Sequence, residues 1–111
     1  MWRKEQTETL LILAEVYLDQ GQPERAAILL EALHWLEPDS VPVLRALSYA
    51  LLQAGRAEEA LTALDALLRR DAAMPEQAPA LLMRSKALWV LGRAAEAQES
   101  LQRYLQLGAP A

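Results

Sequence analysis

Cysteine is absent from this chain. That rules out disulfides, thiolate metal sites and cysteine nucleophiles. Phenylalanine is also absent, and aromatics make up only 5% of a sequence that is 53% hydrophobic. Any core must therefore be assembled from leucine and alanine, both strong helix formers. Basic residues are in deficit, with 11 Lys and Arg against 15 Asp and Glu, for a net charge of −4. Nucleic-acid binders normally carry a basic stripe, so no nucleic-acid partner is expected. Long apolar runs are missing as well. "LLILA" at 10–14 is the apolar start of a stretch soon interrupted by Glu15 and Asp19, far short of the roughly 20 residues of a membrane span. No small-residue cleavage site follows it, so it reads as half of an amphipathic helix and not as a signal peptide. The expectation is a cytoplasmic protein with no membrane insertion, whose 111 residues form a single domain over 1–111.

Glycine is scarce too, with four in the chain, and three of them mark a repeat. Gly21, Gly55 and Gly92 lie 34 and 37 positions apart. Five positions after each comes Ala26, Ala60 or Ala97, and four further on comes Leu30, Leu64 or Leu101. Before each glycine runs a stripe with steps of three, one and three. It reads Leu10, Leu13, Ala14, Tyr17, then Leu44, Leu47, Ser48, Leu51, then Leu81, Arg84, Ser85, Leu88. Those steps put each set on one face of a helix. Each copy is therefore a helix A, a glycine turn and a helix B. The glycine suits a position just past helix A that needs positive φ. Pro23 suits the first turn of helix B, where its missing N–H does no harm. "PDS" at 38–40 ends one helix, and Asp39 or Ser40 caps the next. Helices are predicted near 5–20, 23–36, 41–54, 57–70, 78–91 and 94–107. One hairpin cannot bury its apolar face alone, whereas three stacked hairpins can. The polar residues Glu96, Glu99, Gln102, Arg103 and Gln106 would let the last helix end the stack.

Chemistry-bearing constellations are not found. His34 is the sole histidine and has no HExxH, Cys/His cluster or Ser/His/Asp set around it, so a packing or surface role is expected. Glu58 and Glu59, and Glu96 with Glu99, fall on helix exteriors as solvated faces. "LRRD" at 68–71 places cations at a helix end, where the macrodipole favours them. The glycines are isolated turn residues and form no phosphate loop. Neither catalysis nor a metal, nucleotide or other cofactor is expected. Trp2 and Trp35 read as surface-exposed, each either a partner anchor or a lone exposed aromatic.

The pattern resembles the tetratricopeptide repeat, a 34-residue helix–turn–helix unit, over roughly residues 7–109, with repeats at about 7–40, 41–74 and 78–111. The Leu–(Ala/Ser)–Tyr positions, the turn glycine, the following alanine and Pro38 carry the match. Leu33, Leu67 and Tyr104 stand where a small residue is usual, Arg84 replaces an apolar residue, and "AAMPEQAP" adds about three residues before the third copy. The resemblance implies an all-α fold of three hairpins in a short right-handed solenoid with a concave groove. It also implies that helix-A residues turned away from helix B line that groove. Carried over position by position, these are Leu11, Glu15 and Leu18, then Arg45, Tyr49 and Leu52, then Leu82, Lys86 and Trp89. A groove containing Leu18, Tyr49, Leu52 and Trp89 is apolar enough for an amphipathic helix, with Glu15, Arg45 and Lys86 to orient it. The alternative for any of the apolar ones is packing in the core or against the neighbouring repeat.

A narrower resemblance lies in "GQPERAAILLEALHWLEP", whose ERA-x-ILL-x-AL-x-x-L-x-P frame is similar to the SctY (YscY) family of type III secretion chaperones in Gram-negative bacteria. "QRYLQL" at 102–107 agrees with it. This resemblance implies a cytoplasmic chaperone that forms a heterodimer with a small secreted SctX-like protein. Through that pair it would engage the cytosolic domain of the export gate SctV. A needle-subunit or translocator chaperone of the same systems, or a generic tetratricopeptide peptide-binding adaptor, stands as the alternative.

Overall fold

In a computed structural model, which describes residues 2–70 and 77–107, every regular element is helical. The order is α1 (Lys4–Asp19), α2 (Pro23–Leu36), α3 (Val41–Gln53), α4 (Ala57–Arg70), α5 (Ala78–Val90) and α6 (Ala94–Leu107). Among the described residues there is no strand, and each helix end falls within one residue of its predicted position. Successive helices pack pairwise, α1 on α2 through to α5 on α6, and the helices A also touch in the order α1, α3, α5. The molecule is elongated, 43 × 28 × 23 Å, so the stack has two distinct ends.

The turns follow from the glycines. Gly21, Gly55 and Gly92 have φ of 71, 78 and 76°, in the left-handed region that only glycine enters at no steric cost. Each sits between two reversed hydrogen bonds. At the first, Gly21 N donates to Leu18 O at 3.1 Å and Gln22 N to Tyr17 O at 2.8 Å. This is the Schellman closure, which satisfies carbonyls the helix leaves open. Ser40 caps α3, its Oγ accepting from Val43 N at 3.4 Å. Asp39 instead pairs with Arg70 at 3.0 Å, tying the end of α4 to the α2–α3 turn. Asp71 and most of the "AAMPEQAP" insertion lie outside the described residues.

Leucine and alanine do build the core. Ala14, Ala26, Leu30, Leu33, Leu44, Leu64 and Leu67 form one cluster over the first two hairpins and the start of the third. Ala57, Leu61, Ala87, Leu88 and Ala97 form a second. Leu52 packs against both clusters. Beside them Arg84 has an unexpected role. Its Nε donates to Asp65 Oδ1 on α4 at 2.9 Å, and its Nη1 to the Oγ of buried Ser100 on α6 at 2.5 Å. Ser85 Oγ adds a bond to Ala97 O at 2.9 Å. The polar residue at an apolar repeat position is thus matched by polar partners on both flanking helices. Arg84→Leu should cost about 1–3 kcal/mol, mainly by stranding the Ser100 hydroxyl. Adding Ser100→Ala should return part of that loss, and urea titration of the single and double variants checks it.

Two sequence expectations change here. Trp2 is half-buried and not exposed. It packs against the core, and its Nε1 donates to Thr7 Oγ1 at 2.7 Å and to Glu37 Oε2 at 3.3 Å. The Thr7 hydroxyl itself donates to Glu37, so the segment before α1 is latched to the end of α2. Leu101, aligned with the fully buried Leu30 and Leu64, is 39% exposed: among the described residues α6 packs on α5 alone, whereas α2 and α4 each pack between two helices. Leu105 is exposed too, so the outer face of α6 is polar but not wholly so.

Candidate functional site

The helix-A side of the stack is grooved. Its first part, about 620 Å³, is lined by Glu15, Leu18 and Asp19 of α1, by Pro42, Arg45, Ala46 and Tyr49 of α3, and by Pro79, Leu82 and Met83 of α5. An adjoining part, about 570 Å³, is lined by Tyr49, Leu52 and Gln53 of α3, by Leu82, Met83, Ser85, Lys86, Trp89 and Val90 of α5, and by Leu101 of α6. Tyr49, Leu82 and Met83 belong to both, so the two form one channel over α1, α3 and α5, to which α6 adds Leu101.

Eight of the nine sequence-predicted residues line this channel: Glu15, Leu18, Arg45, Tyr49, Leu52, Leu82, Lys86 and Trp89. Leu11 does not. It is half-buried and packs against the core of the first two hairpins. Leu18 and Leu52 do both, lining the channel while touching the core. The best-presented aromatic is Trp89, 69% exposed. Pro42, Ala46, Pro79 and Met83 were missed by sequence reasoning. Pro42 and Pro79 lie one turn before Arg45 and Leu82 on the same helical stripe, so extending the stripe by a turn would have found them. Carboxylates sit at the α1 wall, in Glu15 and Asp19, and a lysine, Lys86, at the α5 wall. An apolar floor with a few charges on its rims is the surface that takes an amphipathic helix.

Several of the other titratable residues pair with one another across the fold. Arg56, at the start of α4, pairs with Glu31 at 3.0 Å and Glu24 at 3.6 Å on α2, and with Glu59 on its own helix. Desolvation acts to lower its pKa, but Glu31 and Glu59 outweigh this and raise it. Glu96 is held below the usual carboxylate range by its hydrogen bond from Arg93. Glu59 and Glu96 are thus paired as well as solvated. His34 is half-buried on α2 with its Nδ1 unbonded, and among the described residues no group of three or more His, Cys, Asp or Glu side chains could hold a metal ion. No described helix is long and apolar enough to cross a membrane.

Residues 17–73 match the sequence profile of the tetratricopeptide repeat, and residues 78–103 match a second profile of the same repeat. The first match alone spans more than half of the chain, which belongs to the tetratricopeptide repeat family. No curated protein matches the sequence. Among solved structures, the tetratricopeptide repeat domain of Arabidopsis FLU superposes with a TM-score of 0.78, covering 93% of this chain and 94% of that one at 18% identity. At that identity the likeness concerns the fold. Tetratricopeptide repeats are protein-interaction scaffolds.

Proposed function

We propose that this protein is a type III secretion chaperone of the SctY (YscY) kind, acting in the cytoplasm as a single 1–111 domain with repeats at 7–40, 41–74 and 78–111. It holds an amphipathic helix of a small secreted SctX-like partner in the channel over α1, α3 and α5, and the pair then engages the cytosolic domain of SctV. The role is binding, with no catalysis and no cofactor. The observation that carries the reading is the continuous apolar channel, walled by acids on one side and Lys86 on the other. The narrowing to SctY rests on the ERA-x-ILL-x-AL-x-x-L-x-P frame, which falls on α2. A generic peptide-binding adaptor is the second reading, favoured by the family membership itself.

Titration of the purified chain with an SctX-like partner tests it. Trp89 is mostly exposed in the free protein, so Trp89→Ala should leave helicity and thermal midpoint unchanged. Removing a central aromatic anchor costs about 2 kcal/mol or more, which corresponds to roughly 25-fold weaker binding. No binding by the wild type would eliminate the SctY reading while leaving the adaptor. Full-strength binding by the variant would eliminate the channel.

A further inference from the structure

The charges of the channel are sorted by helix. To its lining α1 contributes two exposed carboxylates, Glu15 and Asp19, and no cation. Helix α5 contributes the exposed Lys86 and no carboxylate. Arg45 of α3 lies between them, half-buried, one positive charge against two negative ones in that part of the channel. In the adjoining part Lys86 is the only charged lining residue. The channel thus runs from a net negative end at α1 to a positive end at α5, over a floor that is mainly apolar.

The two ends are within reach of one short helix. Helix α1 packs on α3, and α3 on α5. Packed helix axes lie about 8–10 Å apart, which sets α1 and α5 about 16–20 Å from each other. A helix rising 1.5 Å per residue covers that span in about 11–13 residues. An apolar floor alone would accept an amphipathic helix in either direction and in several registers. Exposed rim charges add little affinity, but they reject like charges and fix the register.

We infer that the channel selects its occupant by charge order, an inference that rests on the channel holding a partner helix as proposed above. The segment seated there carries Lys or Arg at the end over α1 and Asp or Glu at the end beside Lys86, with an apolar stripe between them. A segment acidic at both ends meets Glu15 and Asp19 with like charge. One basic at both ends meets Lys86 in the same way.

Fluorescence anisotropy of the full chain with three labelled synthetic peptides of about 14 residues tests this. All three share one leucine stripe. They carry Lys in the first turn and Glu in the last, or Glu in both, or Lys in both. The wild type should bind the mixed peptide at least about threefold tighter than either of the others. Lys86→Glu should move the preference to the peptide with Lys at both ends. Glu15→Lys combined with Asp19→Lys should move it to the peptide with Glu at both ends. The chain has a net charge of −4, which attracts any basic peptide, so a matched control is needed. Arg103→Glu makes the same change in net charge as Lys86→Glu, at an exposed position of α6 outside the channel lining, and should keep the wild-type order. Raising salt from about 0.1 to 1 M should compress the preference, as the Debye length falls from about 10 to 3 Å. An order that ignores the wall substitutions overturns the inference, and so does one that shifts as much with Arg103→Glu as with Lys86→Glu. Binding of none of the peptides overturns it too, and leaves the channel itself to the titration with an SctX-like partner. Trp89→Ala separates the two readings. If it weakens all three peptides while no charge preference exists, the channel holds a helix and only the charge selection falls. If it weakens none, the peptides bind elsewhere and both fall.

Discussion

Replacing Leu64 with alanine should lower the unfolding free energy by about 2–5 kcal/mol. Leu64 is fully buried in the middle hairpin, within the cluster that joins α1 to α4. Truncation removes its transfer free energy and leaves a cavity that helices packed on both sides cannot easily fill. Domains of this size have only about 5–15 kcal/mol of stability in total. The thermal midpoint should fall by roughly 10–20 °C, at about 4 °C or more per kcal/mol. Leu101→Ala is the matched control. It occupies the same repeat position but is 39% exposed, so its midpoint should drop by a small fraction of that. Thermal denaturation of the two variants side by side checks the pair. Equal losses would mean that the end of the stack is as tightly packed as its middle.

That contrast also marks what could be read from the chain. Helix boundaries were legible because they depend on local rules, namely positive-φ glycines, an early proline in α2 and a serine cap. The channel was legible because the i, i+4, i+7 stripe 45, 49, 52 repeats on the neighbouring helices A. What escaped was what depends on neighbours along the stack. Leu13 and Leu101 hold the repeat positions of Leu47 and Leu64, yet they lie on α1 and α6, which among the described residues have fewer helices packed on them than α3 and α4. Arg84 reads as a defect until Asp65 and Ser100 are seen on either side of it, 19 and 16 residues away in sequence. Trp2 reads as an exposed terminal aromatic because its partner Glu37 lies 35 residues away. Leu11 has the repeat position of Arg45 and Leu82, but it turns to the core of the first hairpins. Periodicity assigns a face to each residue, and only the count of flanking helices determines whether that face is covered.

Leu52→Asp should reduce stability and partner binding together. The repeat resemblance places Leu52 in the groove, with core packing as the alternative, and only a side chain wholly in the groove would give a folded, binding-deficient variant. The structure places the side chain at the joint between the two core clusters, half-buried, while its outer surface still lines the channel beside Tyr49 and Trp89. The substitution removes apolar burial worth up to about 1.5–3 kcal/mol. It also sets a carboxylate against leucine and alanine, which costs more unless the charge is paired. Among the residues lining that part of the channel, Lys86 is the one cation that could help, from the exposed side of α5. The expected result is a lower urea midpoint in the free protein and at least about tenfold weaker partner binding. Leu52→Met, which nearly conserves volume, should cost less than about 1.5 kcal/mol and keep binding. Trp89→Ala should lose binding alone. Should Leu52→Asp unfold at the wild-type midpoint, the side chain cannot be bridging the clusters, and the channel floor is separate from the core. A shared floor would mean that an amphipathic helix seated in the channel also covers the joint between the second and third hairpins, so that partner binding and the stability of the third hairpin rise and fall together.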